Sequence, residues 1–181
     1  MIIGGLYLEC DYCEKLEKYD FGDFILKTKH WIVYLAPQQS NIGTCVVALN
    51  RHEEDLSGLT SEEWLEFGEL VCKLEFSIKK CFDVTMCNWG SLMNASYLEE
   101  PPDPHVHWHF IPRYNHEVEF EGLLFEDPYF GTMKPRPFRA LPKDVRNMII
   151  KYIKSNVPDK LEGSIPKDLK NIRKIKQKNV E

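Results

Sequence analysis

Positions 105 to 113 read HVHWHFIPR, and three of the chain's six histidines stand there at alternate positions: His105, His107 and His109. Chance assembles such a run on the order of once in 150 chains of this composition. In a β-strand successive side chains point to opposite faces. The spacing therefore predicts a strand over about 105–111 with three imidazoles on one face and Val106, Trp108 and Phe110 turned to a core. Pro112 cannot donate to a ladder and marks the strand's end or an edge position.

Three imidazoles can bind a metal or divide into a nucleophile and its helpers. Along one straight strand the outer pair of Cα atoms is about 13 Å apart, whereas a Zn–N bond is only about 2.0 Å. One ion does not easily collect His105 and His109 together, so divided roles fit better. A neutral imidazole is a good nucleophile toward phosphorus, because an ordinary pKa near 6.5 leaves its lone pair available at working pH. Attack gives a phosphoramidate that water can hydrolyse, and a second imidazolium can donate to the leaving oxygen.

The elements that must hold this strand are legible upstream. Two short strands are expected at about 24–28 and 31–36, and TCVVALN (44–50) reads as a central strand. Thr60 with Glu63 forms a capping box. Trp64, Phe67, Val71, Leu74, Ile78 and Phe82 then recur at steps of three or four, which predicts a long helix with one buried face. VTMCNWGSL (84–92) is a further strand, and a loop with three prolines leads into the histidines. The order predicts an α+β fold: an antiparallel five-stranded sheet with one main helix on its apolar face. A second helix is expected from Pro142 to Asn156 as a C-terminal helical extension, with Val145, Met148, Ile149 and Ile153 on one face. Residues 1–157 are then one domain with its extension, with a core at about 10–114, and 158–181 a Lys-rich tail or peripheral helix.

Composition narrows the class. The chain of 181 residues is 43% hydrophobic and 28% charged, ordinary for a globular domain. Its net charge of −5 argues against general nucleic-acid binding. No stretch approaches the roughly 20 apolar residues that span a bilayer. MIIGGLYLECDYCEK lacks the pattern of a signal peptide, so no membrane partner and a cytoplasmic location are expected. Cys45, Cys72, Cys81 and Cys87 read as buried small hydrophobes, whereas Cys10 and Cys13 form a C-x-x-C of the kind used for metal or redox chemistry.

HVHWHFI, with PRY after it, resembles the histidine triad (HIT) pattern; NRHEEDLSGLTSEEW resembles the segment before that family's central helix, and NWG at 88–90 its N-x-G. The resemblance covers roughly 10–114. It implies a homodimer with joined sheets, and nucleotidyl hydrolysis or transfer through a nucleotidyl-histidine, on dinucleoside polyphosphates or other adenylated compounds. It makes His107 the nucleophile and His109 its assistant. Asn88 falls where the family binds phosphate, and Asn41 is the nearest counterpart of its ribose contact. The loop reads SNIGT where many members have P-G-H, and each asparagine also reads as a turn residue. Some members, and the related galactose-1-phosphate uridylyltransferases, hold a zinc at positions matching Cys10, Cys13, His52 and His105. Such a closed Cys₂His₂ set would be structural; the alternative is two free cysteines and a surface His52. His30 and His116 read as ordinary surface or strand-edge residues. Two other functions compete: a nucleotide-binding adaptor of the same fold with little turnover, and a His-zinc metalloenzyme.

Overall fold

A computed structural model of the chain describes residues 21–98 and 100–159. Three strands, β1 (Asp23–Lys27), β2 (Trp31–Leu35) and β3 (Cys45–Leu49), form a meander. The helix α1 (Ser61–Phe82) follows, then β4 (Met86–Gly90) and β5 (His107–Arg113). The sheet order is β1-β2-β3-β5-β4, antiparallel throughout. The triad strand is therefore an inner strand, held by ladders on both sides. The expected α+β layer of five antiparallel strands and one main helix is the observed fold.

Local chemistry explains α1. The Thr60 hydroxyl accepts from the Glu63 amide while the Glu63 carboxylate accepts from the Thr60 amide, so two orphan donors of the first turn are satisfied. Asp83 ends the helix in the left-handed conformation, φ 51°. Phe67, Leu70, Leu74, Ile78 and Phe82 bury one face against the sheet. Trp31, Val33, Leu35, Val47, Leu49 and Phe110 meet them from the strands. Of the cysteines, Cys45 is buried and Cys81 and Cys87 are half-buried, but Cys72 is exposed. Its position is one step off the apolar stripe, so the expectation of a buried thiol fails there.

The histidine strand differs in one respect from its expected bounds. Regular pairing begins at His107 and runs to Arg113, leaving His105 on the approach to the strand. Pro112 does not stop it, because β3 pairs only as far as Phe110, and at Pro112 the open side of β5 needs no donor. The segment after β5 adds a second, smaller sheet. β6 (Val118–Phe120) and β7 (Leu123–Phe125) make a hairpin across Glu121 and Gly122, both at positive φ. That turn needs two left-handed residues; Gly122 takes one position at no cost, and Glu121 adopts the other at φ 50°. The helix α2 (Lys143–Asn156) then packs Ile149 and Ile153, both fully buried, into the same core as α1. Ser77 on α1 donates to the Ile153 carbonyl at 2.8 Å.

Candidate functional site

The alternation of β5 sorts its side chains as its residue types demand. Trp108 stacks on Phe67 of α1 at 4.7 Å between ring centroids, and Phe110 meets Trp89 at 4.6 Å. His107 and His109 occupy the opposite face. Their cross-strand neighbours are small or β-branched: Ala48 beside His107, and Val46 and Gly90 flanking His109. Small neighbours leave open space above the imidazoles, and Phe21, Tyr34 and Val46 wall it on an apolar patch.

The ring of His107 is fixed in a chemically specific way. Its Nδ1 lies 2.8 Å from the carbonyl of His105. A carbonyl can only accept, so Nδ1 carries the proton, and in the neutral ring Nε2 then bears the lone pair. Burial pushes the His107 pKa below the ordinary histidine value, and the His105 and Leu92 carbonyls pull it only partly back. Burial thus favours the neutral ring, with its proton on Nδ1. Ser91 donates to the His107 carbonyl at 2.9 Å and ties the loop after β4 to this point of the strand. The His109 ring stands 5.0 Å from that of His107, nearly perpendicular to it. Burial first, and the His107 ring second, hold the His109 pKa down, while the Leu92 carbonyl favours its proton.

His107 and His109 line a cavity of about 440 Å³ together with Phe21, Asn41, Val46 and Leu92. A second hollow of about 260 Å³ lies on the other side of His109, lined by Asn88, Trp89, Arg113 and Arg136. The two asparagines singled out in the sequence therefore come to opposite sides of His109. Asn88 lies within β4, opposite Ile111, not in a turn. Asn41 serves a turn with its backbone, accepting from the Thr44 amide and hydroxyl. Its side chain is buried and donates Nδ2 to Asp127 at 3.0 Å.

Asp127 and Arg113 are site-supporting residues that the sequence did not announce. Arg113, at the end of β5, grips both oxygens of Asp127, and both side chains are almost fully buried. The guanidinium also donates to the Tyr129 and Thr132 carbonyls. The PR of HFIPR is the single signal for this: an arginine placed one step after the strand's apolar run must find partners when buried.

His52 and His105 come together, with ring centroids 5.7 Å apart. His105 Nε2 donates to the Leu49 carbonyl at 2.9 Å. A metal on this ring would take Nδ1, with the ring orientation set by the backbone. These two residues fit half of a Cys₂His₂ set; Cys10 and Cys13 lie outside the described residues. Among the described residues no group of three or more metal-ligating side chains occurs. His30 has its amide bound to Glu66 and is ordinary structure, and His116 lies near Asp83 at the surface.

Solved structures with this architecture carry the histidine triad name. A hypothetical histidine triad nucleotide-binding protein from Sulfolobus tokodaii superposes with a TM-score of 0.59 at 18% identity, covering 82% of this chain and 91% of its own. A histidine triad protein from Sinorhizobium meliloti gives 0.61 at 16% identity, covering 79% and 93%. The chain has the histidine triad fold. A zinc-bound histidine triad family protein from Mycobacterium smegmatis also shares it, with a TM-score of 0.55 at 13% identity over 82% of this chain and 95% of its own. No protein-family model matches the chain, and no curated protein matches it. At these identities the likeness is one of fold, and the histidine triad fold here is carried by a sequence that shares little else with its neighbours.

Proposed function

We propose that this protein is a nucleotidyl hydrolase or transferase of the histidine triad type, acting through a covalent bond between His107 and the α-phosphorus of an adenylated or otherwise nucleotidylated compound. The observation that carries it is the 2.8 Å bond from His107 Nδ1 to the His105 carbonyl, which leaves the Nε2 lone pair on a ring lining the cavity. Nε2 attacks phosphorus, a P–N bond forms and the P–O or P–N bond to the leaving group breaks. His109 supplies the departing atom's proton; an arriving phosphate raises its pKa, because an adjacent anion favours the imidazolium. Water then attacks the phosphorus, the His107 P–N bond breaks and a nucleoside monophosphate leaves. In this reading Asn41, which lines the cavity of His107, would meet the ribose, and Asn88, which lines the hollow beyond His109, the phosphate oxygens.

A structural zinc on Cys10, Cys13, His52 and His105 would, when bound, join the N-terminal segment to the triad strand. Its role would be to hold His105, and thereby the carbonyl that fixes the His107 tautomer. We further infer a homodimer built across β4, the edge strand next to β5, with the exposed Trp64, Leu65 and Phe76 of α1 nearby as apolar surface. Residues 1–157 act as one folding unit in this account, and a cytoplasmic location suits the nucleotide substrates. No described helix is long and apolar enough to cross a membrane.

The test is a panel of diadenosine polyphosphates and adenosine phosphoramidates, with identification of the released mononucleotide. Turnover by the intact protein, lost by several orders of magnitude in a folded His107→Ala variant, supports the assignment. Nucleotide binding without turnover by the intact protein would favour an adaptor, and near-normal turnover by His107→Ala would overturn the mechanism.

A further inference from the structure

The segment 126–139, which follows the β6–β7 hairpin, is clamped at both ends. Arg113 holds its first part through Asp127 and the Tyr129 and Thr132 carbonyls. Its far end is pinned to the loop between β2 and β3. There Gln38 donates to the Pro137 carbonyl at 2.9 Å, and its own amide oxygen accepts from the Arg139 backbone at 2.7 Å. The Gln39 amide donates to the Arg139 carbonyl at 2.9 Å. The Arg139 guanidinium is spent on the Phe125 ring, 4.2 Å away, and on the Leu124 carbonyl.

Between these clamps stands Arg136. It is half-buried and makes no hydrogen bond or ion pair with any described residue. It lines the cavity of His107 and His109, the hollow of Asn88 beyond His109, and a third hollow that opens between Pro128 and Phe138. Asp127, the acid whose charge opposes its desolvation, is already taken by Arg113 and Asn41. Burial and the Arg113 guanidinium both press the Arg136 pKa down, with Asp127 opposing. A partly desolvated guanidinium beside a second one is costly until an anion arrives, and its planar fork matches a phosphate bidentately.

The position along the cavity points to one phosphate. Phe21 and Val46 offer an apolar wall for a nucleoside beside His107 and His109, and Arg136 lines both this cavity and the hollow on the Asn88 side of His109, into which a group leaving from a phosphorus at His107 would extend. We propose that Arg136 binds the phosphate chain of the leaving group, so that the substrate class of this site is a phosphoanhydride rather than a nucleotide bearing an uncharged leaving group. The assignment rests on the catalytic role of His107 proposed above, and a binding measurement separates the two.

The experiment compares the full-length protein with Arg136→Gln and Arg136→Lys at fixed ionic strength. Calorimetry with AMP and ATP reads the contribution of the phosphates beyond the first. The intact protein should bind ATP at least about tenfold more tightly than AMP, the scale of one charge-assisted contact. Arg136→Gln should bring the two within about threefold while leaving AMP affinity unchanged, and Arg136→Lys should fall between. In kinetics, Arg136→Gln should lower kcat/KM for diadenosine tetraphosphate about thirtyfold or more, but for adenosine 5′-phosphoramidate by less than about threefold. An unchanged ATP-to-AMP ratio in Arg136→Gln, no ATP preference in the intact protein, or equal losses on both substrates would overturn the proposal. Should the intact protein cleave neither substrate yet show an ATP preference that Arg136→Gln abolishes, the catalytic assignment fails and the role of Arg136 stands.

Discussion

Removing the Asp127 carboxylate should destabilise the protein more than any other single change in the segment 115–140. In Asp127→Ala the Arg113 guanidinium, 1% exposed, loses both carboxylate contacts, and the Asn41 amide loses its acceptor at 3.0 Å. Breaking one partner of a buried pair costs about 3–5 kcal/mol, because the other charge remains uncompensated. The Tyr129 and Thr132 carbonyls still accept from Arg113, which places the expected loss near the lower end, about 3 kcal/mol. For a chain of this size that corresponds to a fall of about 6–12 °C in Tm. Asp127→Asn keeps an acceptor for Arg113 and should cost about half as much. The pH dependence has a definite sign. Burial raises the Asp127 pKa, but the hydrogen bonds from Arg113 and Asn41 outweigh it and the net is a lowered value. A depressed carboxyl pKa stabilises the fold above the unfolded value of about 3.9 and loses that contribution as pH falls below it. Calorimetric unfolding of the intact protein and both variants between pH 3 and pH 7 is the assay. A Tm for Asp127→Ala within about 2 °C of the intact protein at pH 7 would refute the assignment of this pair as a buried clamp.

Three further outcomes are expected. Glu63 closes the capping box and accepts from Arg51 at 2.7 and 2.9 Å, and its carboxyl is held down to about 2 chiefly by the Arg51 hydrogen bonds. At ~1.4 kcal/mol per pKa unit the ceiling is about 3 kcal/mol, and the solvent-exposed Arg51 reduces it to about 1–2 kcal/mol. Glu63→Gln should therefore lower stability by that amount at pH 7, with the difference closing as pH drops from about 4.5 toward 2; an urea midpoint equal to the intact protein's at pH 7 would count against it. Elemental analysis should find about one zinc per chain, and Cys13→Ser should lose both the metal and several degrees of Tm, whereas metal-free protein of unchanged stability would leave the C-x-x-C without a structural role. Light scattering at micromolar concentration should report a dimer that a charge placed in β4, as in Cys87→Lys, converts to monomer; a monomeric intact protein would remove the interface.

The parts of the fold that could be read in advance are those whose signals are local. Alternation from Val106 to Phe110 depends only on strand geometry, and Thr60 with Glu63 announces a helix within four residues. The structure brings His107, His109, Asn41 and Asn88 around one site, and His52 beside His105. What stayed hidden rests on contacts distant in sequence. Asp127 acquires its meaning only when Arg113 and Asn41 reach it across 14 and 86 residues, and Arg136 only when Gln38 and Gln39 pin the segment that carries it. The β6–β7 hairpin did have a local signal in the Glu121–Gly122 turn between VEF and LLF, outweighed in the sequence by the prolines and aromatics after it. The start of β5 at His107 rather than His105 also lay beyond alternation, since the backbone amide of Val106 turns to the Glu53 carbonyl.

As the nucleophile, His107 must become bonded to phosphorus during turnover. Rapid acid-free quenching of the intact protein with a diadenosine polyphosphate, followed by peptide mass spectrometry at high pH where phosphoramidates survive, tests it most directly. A nucleotidyl group is expected on the peptide at His107, accumulating in His109→Ala and absent in His107→Ala. Turnover with no adduct on any histidine, or an adduct on His105 or His109 in place of His107, would contradict it.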